Sequence, residues 1–302
     1  MSETKAAEAG ESFSCRMSDG AQILVRRCGR IGMPRLVLSH GNGLAIDGYK
    51  VFWQLLLDRY EVVLFDFRNH GRNRSPGVAA HHWAGFAADL DRIRDAIDES
   101  FGPSRTIGVF HSMAAITSLL HAQDYGWRWQ GLLLFDAPLY PPDGHPLQAA
   151  GLLHEQRMAA WAATRPARFR SPRELADRFA KSRSLRRWAP ESYRLMAEAI
   201  LRPDSDTGGW MLTCPPELES SVYATNTDQS IWRRLGEVPG PVMLVTSDPD
   251  TEGADVNGAI NLAAAEAFRL PCAVIPDTTH FLQIERPQAC ADVLDRFVHG
   301  LT

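Results

Sequence analysis

The sequence predicts an α/β protein whose mostly parallel central sheet is flanked by helices and broken once by a long insertion. Three observations carry that prediction. Short Val/Ile/Leu-rich runs recur without polar alternation, helix-forming stretches separate them, and the hundred residues from Pro138 to Glu237 hold no convincing strand. Apolar runs that do not alternate belong to strands covered on both faces, which is the condition of a parallel sheet between helix layers.

In chain order, "FSCRM" (Phe13 to Met17) and "QILVRRC" (Gln22 to Cys28) read as two strands joined around Asp19-Gly20, a hairpin signal. "RLVLSH" (Arg35 to His40) is a third strand that runs directly into the turn "GNG". "VFWQLLLDRY" is helical, "EVVLFDF" (Glu61 to Phe67) is a strand, and Trp83 to Phe101 is an amphipathic helix. "TIGVF" (Thr106 to Phe110), a helix from Ser112 to Asp124 and "GLLLFDA" (Gly131 to Ala137) continue the alternation. It resumes with "PVMLVTSDPD" (Pro241 to Asp250), the helix Gly258 to Phe268, the strand Cys272 to Pro276 and a last helix from Pro287 to His299. The expected organisation is a core of residues 1–137 and 238–302, with residues 138–237 as a helical cap over the strand ends where α/β ligands bind.

The chain has 302 residues, 45% of them hydrophobic, and a formal net charge of −4. That length and apolar content suffice for a sizeable core, and the charge offers no footprint for nucleic acid. Cys15, Cys28, Cys214, Cys272 and Cys290 are odd in number and lack a C-x-x-C pair, so they read as reduced thiols. The acidic start "MSETKAAEAGESFS" has no apolar core of a signal peptide, and no run approaches the ~20 residues of a membrane span. A cytoplasmic protein with no membrane or nucleic-acid partner is expected. No cofactor is expected either. His81-His82 is the sole adjacent histidine pair and lacks any metal-ligand spacing, so no metal is expected.

Candidate chemistry sits at the predicted strand ends. A serine hydroxyl becomes a nucleophile at neutral pH when a base takes its proton, an acid orients that base, and N–H donors meet the developing oxyanion. Ser112, in "GVFHSMAA", falls on a strand-to-helix turn, with the Met113 amide next to it. An ordinary helix N-cap is the plain alternative for such a serine. His280, in "DTTHFLQIERP", leaves the last predicted strand and fits a base late in the chain. For the acid, Asp248 and Asp250 follow one strand and Asp136 ends another; the position after the penultimate strand favours Asp250, and Asp248 reads as a turn residue before Pro249. In "SHGNGL", Gly41 and Gly43 allow a tight turn that would offer the Asn42 amide as second oxyanion donor.

Together these segments resemble the α/β-hydrolase superfamily over nearly the whole chain. "HGNGL" resembles its oxyanion turn, "DFRNHGRNRS" (Asp66 to Ser75) its Asp-x-Arg-x-x-Gly-x-Ser loop, "FHSMAA" its nucleophile elbow, "SDPD" its acid loop and "THFLQIERP" its histidine loop. The resemblance implies a lidded α/β-hydrolase fold, with Ser112, Asp250 and His280 as triad. Three departures stand out: Asn69 where glycine is frequent, and Phe110 and Ala114 where the elbow usually has glycine, alanine being the mild change of the two. Phe110 is expected to shape the pocket, alongside Gly41, Gly43, His111, Trp161 and Trp210.

The implied reaction is serine-mediated hydrolysis of a carbonyl substrate: an ester, lactone, thioester, or the C–C bond of a β-ketone-type product. A cofactor-free dioxygenase or other base-catalysed enzyme on the same scaffold, with Asp136 as acid, is an alternative. A ligand-binding protein that has kept the fold is another. Trp161, Trp188, Trp210 and Trp232, with Met158, Met196 and Met211, suggest an apolar or aromatic small-molecule substrate, or simply packing of the cap on the core. From His154 to Glu198 eleven Arg/Lys face five Asp/Glu, which reads as a solvated helix surface or as a lid drawing in an anionic group.

Overall fold

The computed structural model describes residues 10–73 and 78–301. Arg74 and Ser75, the end of the Asp66-to-Ser75 loop, lie outside the described residues. The strands of the core are β1 (Glu11–Arg16), β2 (Gln22–Gly29), β3 (Arg35–Ser39), β4 (Glu61–Phe65), β5 (Thr106–His111) and β6 (Gly131–Phe135). Three short strands follow in the insertion, β7 (Arg168–Phe169), β8 (Leu201–Pro203) and β9 (Trp210–Leu212), before the core resumes with β10 (Val242–Ser247) and β11 (Cys272–Ile275). The eight core strands form one sheet in the order β1-β2-β4-β3-β5-β6-β10-β11. Only β2 runs against its neighbours; β4, β3, β5, β6, β10 and β11 pair in parallel.

Strands β3, β4 and β6 are buried at every position, which is why their centres, "LVL", "VVLF" and "LLLF", read as unbroken apolar runs. One side of the sheet packs Phe110, Leu132 and Leu134 beneath the helices Trp83–Phe101 and Met113–Asp124. The other side packs Val109, Leu133 and Phe135 with the helix Pro287–Gly300. The "VFWQLLLDRY" stretch is less regular than expected: a 3₁₀ turn over Ile46–Tyr49, a single helical turn over Lys50–Trp53 and a second 3₁₀ turn over Gln54–Leu56. Trp53 Nε1 bonds back to the Ile46 carbonyl at 3.0 Å and ties these pieces together.

Between β6 and β10 the chain forms the helices Gln148–Thr164, Pro172–Lys181, Pro190–Ile200, Pro216–Ala224 and Ser230–Arg234. It also forms a second sheet, in the order β7-β9-β8, where no strand was expected. Two- and three-residue strands are too short to carry a period, so only their antiparallel partners reveal them. The helix Pro190–Ile200 lies against the Ile46–Tyr49 turn. A Cβ on Gly48 would come within 2.3 Å of Met196 Cε, so the absence of a side chain there permits this close approach. Among the described residues no helix is long and apolar enough to cross a membrane.

Candidate active site

β5 ends at His111, and Ser112 turns the chain into the helix Met113–Asp124 with a φ of 53°, in the left-handed region. The Ser112 amide bonds to the Phe135 carbonyl of β6 at 3.0 Å, while the Ser112 carbonyl accepts from Ala115 and Ile116. Its hydroxyl makes no capping bond to the helix. Instead Ser112 Oγ lies 2.9 Å from His280 Nε2, and His280 Nδ1 lies 2.7 Å from Asp136 Oδ2. With the ring neutral, the hydroxyl donates to Nε2 and Nδ1 donates to the carboxylate.

Sheet register places that carboxylate. His111 faces Phe135 and Phe135 faces Val245 across β5, β6 and β10, so Ser112 and Asp136 are the next residues of adjacent parallel strands. Asp136 is fully buried. Its Oδ1 accepts from the Ser247 amide and hydroxyl, each at 2.9 Å, and from Thr246 Oγ1 at 3.2 Å. Burial pulls its pKa upward, but His280 and the Ser247 donors outweigh it and hold the carboxyl below its ordinary value. Burial likewise opposes the charged imidazole, yet the Asp136 contact, with Asp255 and Glu155 nearby, pushes His280 up to about 9.

The turn after β3 presses on the serine: a Cβ on Gly41 would lie 3.1 Å from Ser112 Cβ. Its amides are divided up. Gly41 N–H donates to Tyr49 Oη, Gly43 N–H to His70 Nε2, and Leu44 N–H to the Gly41 carbonyl. Asn42 is the remaining residue of this turn, and its side chain donates to the Glu219 carbonyl at 2.8 Å, fixing the turn to the helix Pro216–Ala224. Two buried histidines support the turn from below. His40 donates to the Gly41 carbonyl and accepts from Phe67 N–H; burial drives His40 to about 4 and His70 to about 3, so both accept as neutral rings. On the other side of Ser112, Met113 opens a helix, where the first N–H has no intrahelical acceptor.

A family model described as the alpha/beta hydrolase family matches residues 36–293. The chain belongs to the alpha/beta hydrolase family. No curated protein matches its sequence. Among solved structures, this α/β hydrolase is similar to E-2-(acetamidomethylene)succinate hydrolase, with a TM-score of 0.77 at 18% identity over 96% of this chain and 100% of that one. It is also similar to a thioesterase domain from the curacin biosynthetic pathway (TM-score 0.74, 18% identity, 95% and 99% covered). A thermophilic esterase from Thermogutta terrifontis, with malate bound, is a third (TM-score 0.68, 18% identity, 96% and 99% covered).

The α/β hydrolase departs from several sequence expectations. Asp250 is exposed on the turn after β10, where its amide donates to Asp248 Oδ1, and the carboxylate that bonds to His280 is that of Asp136. Asp248 is a turn residue as expected, its second oxygen accepting from the Asp277 amide and so joining the two loops. Asp136 takes the place expected for Asp250 because β6 lies next to β5, whereas the chain after β10 turns outward. Phe110 does not line the pocket. Its ring fills the space above Gly108, whose Cβ would fall 2.5 Å from Phe110 Cε2, and meets Trp129 edge-on at 5.3 Å. Gly108, two residues earlier on the strand, gives the ring its room. Asn69 substitutes for glycine at little cost, because its φ of 60° is one that asparagine tolerates.

His111 lies behind His280 rather than in the cavity. Tyr49 Oη sits 2.7 Å from His111 Nδ1, and His111 Nε2 donates to the His280 carbonyl at 2.8 Å. Burial lowers His111 to about 3, so it is a neutral link between Tyr49 and the His280 backbone. Glu285 anchors the same loop, accepting from Thr279 N–H and Oγ1 at 2.6 Å each. Trp210 pairs with Phe169 in the small sheet, away from the cavity. Gly43 is also not among the lining residues: its Cβ position is taken by the Glu219 carboxyl.

A cavity of about 490 Å³ opens over Ser112, and Gly41, Asn42, Met113, His280 and Trp161 line it. Met158, Leu185, Trp188, Val222 and Phe281 give it an apolar wall. Glu155, Asp255 and Glu219 also reach it, and sequence reasoning missed all three. Among the described residues, Asp136, Asp255 and His280 form the cluster whose ligand atoms lie within 4.8 Å of one another. Asp136 and His280 are already bonded to each other, which leaves Asp255 alone to hold a cation there.

Proposed function

We propose that the protein is a serine hydrolase that cleaves carbonyl substrates through an acyl-enzyme. The observation that carries this is the unbroken chain Ser112 Oγ, His280, Asp136 at 2.9 Å and 2.7 Å, ending in a hydroxyl that opens onto the cavity. His280 takes the Ser112 proton as the oxygen attacks the carbonyl carbon. Asp136 holds the ring's tautomer and balances the imidazolium, and the Asn42 and Met113 amides receive the oxyanion. The imidazolium then protonates the leaving group, and the same histidine activates the water that releases the acyl group.

The apolar wall favours an acyl chain or aromatic ring over a strongly charged group. The basic stretch of the insertion does not alter that preference, because its arginines are largely engaged. Arg165 pairs with Glu219, Arg168 with Asp204, Arg178 with Glu174, Arg186 with Glu252 and Arg194 with Glu198. Similarity to an esterase, a thioesterase domain and a succinate-derivative hydrolase supports ester, thioester or amide-like carbonyls as the class to assay first.

A base-catalysed reaction in which His280 deprotonates the substrate would use the same His280–Asp136 pair. The direct Ser112–His280 bond favours the nucleophile reading, since it puts the base on the serine proton. A fluorophosphonate probe separates the two: wild type is labelled and hydrolyses nitrophenyl esters, and Ser112→Ala does neither. Undiminished labelling of Ser112→Ala would overturn the assignment.

A further inference from the structure

Glu155 projects from the helix Gln148–Thr164 and lines the cavity over Ser112, yet is only 6% exposed. A carboxyl in such a place has to be either paired or neutral. Its Oε1 accepts from Asn226 Nδ2 at 2.9 Å, and that same amide nitrogen donates its second hydrogen to the Pro138 carbonyl at 2.9 Å. Its Oε2 is buried and has no partner among the described residues. The groups that face it are Asn226, Tyr223, His280 and Asp255, and none of them supplies a compensating ion pair. Burial is the main influence and raises Glu155 to about 8; the Asn226 bond and the His280 charge pull the other way and Asp255 adds to the rise.

With Oε1 acting as the carbonyl oxygen toward Asn226, the proton of the neutral acid belongs on Oε2. That is a hydrogen-bond donor without an acceptor, on a side chain that lines the same cavity as Ser112. We propose that Glu155 donates this hydrogen bond to a second oxygen of the substrate, so that the site selects bifunctional carbonyl compounds such as oxo- or alkoxy-acyl esters over plain alkyl esters. The identity of the reacting carbonyl rests on the serine-hydrolase reading; the acceptor requirement rests on Glu155 alone.

The test measures binding without turnover. In Ser112→Ala protein, calorimetric titration compares an ethyl alkanoate with a series in which a carbonyl replaces each chain methylene in turn, and with the matching amino esters. At one chain position the oxo ester is expected to bind about ten-fold more tightly than the plain ester, the yield of one well-made hydrogen bond. Glu155→Leu, similar in size but without a donor, brings that ratio to about one. Glu155→Gln keeps an N–H donor and retains most of it. Between pH 7 and pH 9 the preference shrinks in the protein that keeps Glu155, as the acid ionises, and stays level in the Glu155→Gln variant. Should Glu155→Leu not fold, the Glu155→Gln variant and the pH series still decide. The proposal is overturned by an oxo series that binds no better than the plain ester, by a preference that survives Glu155→Leu, or by amino esters binding best, which would mark Glu155 as a carboxylate for cations. A wild-type protein that hydrolyses no ester while the oxo preference persists would sink the hydrolase reading and leave the Glu155 assignment standing.

Discussion

Ser112 and Asp136 share a backbone feature that their strands would not impose by themselves. Both have left-handed φ values, 53° and 44°, in non-glycine residues at neighbouring strand ends. Such conformations cost on the order of 1–3 kcal/mol each and persist where the surroundings over-determine them. Here the surroundings are the Ser112 amide on β6 and the Asp136 amide on β10, which lock both residues with their side chains toward His280. Ser112 and His280 are legible as partners at strand ends, but the position after the penultimate strand points to Asp250 for the carboxylate, and order along the chain says nothing about which strands become neighbours. Register instead puts Asp136 beside Ser112. Asp136→Asn is therefore expected to lower kcat by at least about a hundred-fold, on the scale known for loss of a triad acid, and Asp250→Asn to change it less than about two-fold. The pH profile adds a sign. A base must be neutral to act, and Asp136 raises His280, so kcat/KM of the wild type climbs with pH toward about 9. Asp136→Asn removes the group that raises it, so the climbing limb moves to lower pH as the plateau falls.

At the scale of elements, legibility followed burial. The sheet strands are readable because both faces are covered and their centres are unbroken apolar runs, as in "GLLLF" and the "VVLF" that follows Glu61. The strands of the small sheet, with two or three residues each, are defined by their partners and leave no mark in the sequence. The elbow strand is intermediate. Its outward sign, Phe110 in place of a small flanking residue, suggests an altered pocket, whereas the alteration is confined to the sheet–helix core. Phe110 occupies the room left by Gly108 and packs on Trp129. Gly108→Ala puts a methyl 2.5 Å from the Phe110 ring and 2.6 Å from Leu132, and neither neighbour can retreat from a filled core. Overpacking of this kind costs about 1–3 kcal/mol. Denaturant unfolding is expected to register that loss, with the cavity-side binding of a fluorophosphonate changed little once the protein is folded. An unaltered midpoint would show that Phe110 has another rotamer available.

The whole molecule brings the two parts of the site together, since the core supplies Ser112, His280 and the turn at Gly41 while the insertion supplies most of the apolar wall. Two kinds of contact hold the insertion over the loop that carries His280. One is apolar: Trp188, 4% exposed, meets Phe281 edge-on at 5.1 Å, and Phe281 in turn packs against His280. A backbone bond from Ala189 N–H to the Ile284 carbonyl at 3.2 Å accompanies it. The other is ionic: Arg187 pairs with Asp277, which Arg286 also contacts, at a half-exposed site. Their magnitudes differ. Removing a buried tryptophan costs about 3–5 kcal/mol through lost transfer energy and the cavity left behind, whereas a solvent-exposed ion pair contributes about 0–1 kcal/mol. Trp188→Ala is thus expected to lower the melting temperature by many degrees and to slow fluorophosphonate labelling of Ser112, because the His280 loop loses its packing partner along with the cavity wall. Arg187→Gln is expected to leave both nearly unchanged and to make the melting temperature less sensitive to salt. If Arg187→Gln slowed labelling as much as Trp188→Ala, the ion pair rather than the aromatic contact would be what keeps His280 on Ser112.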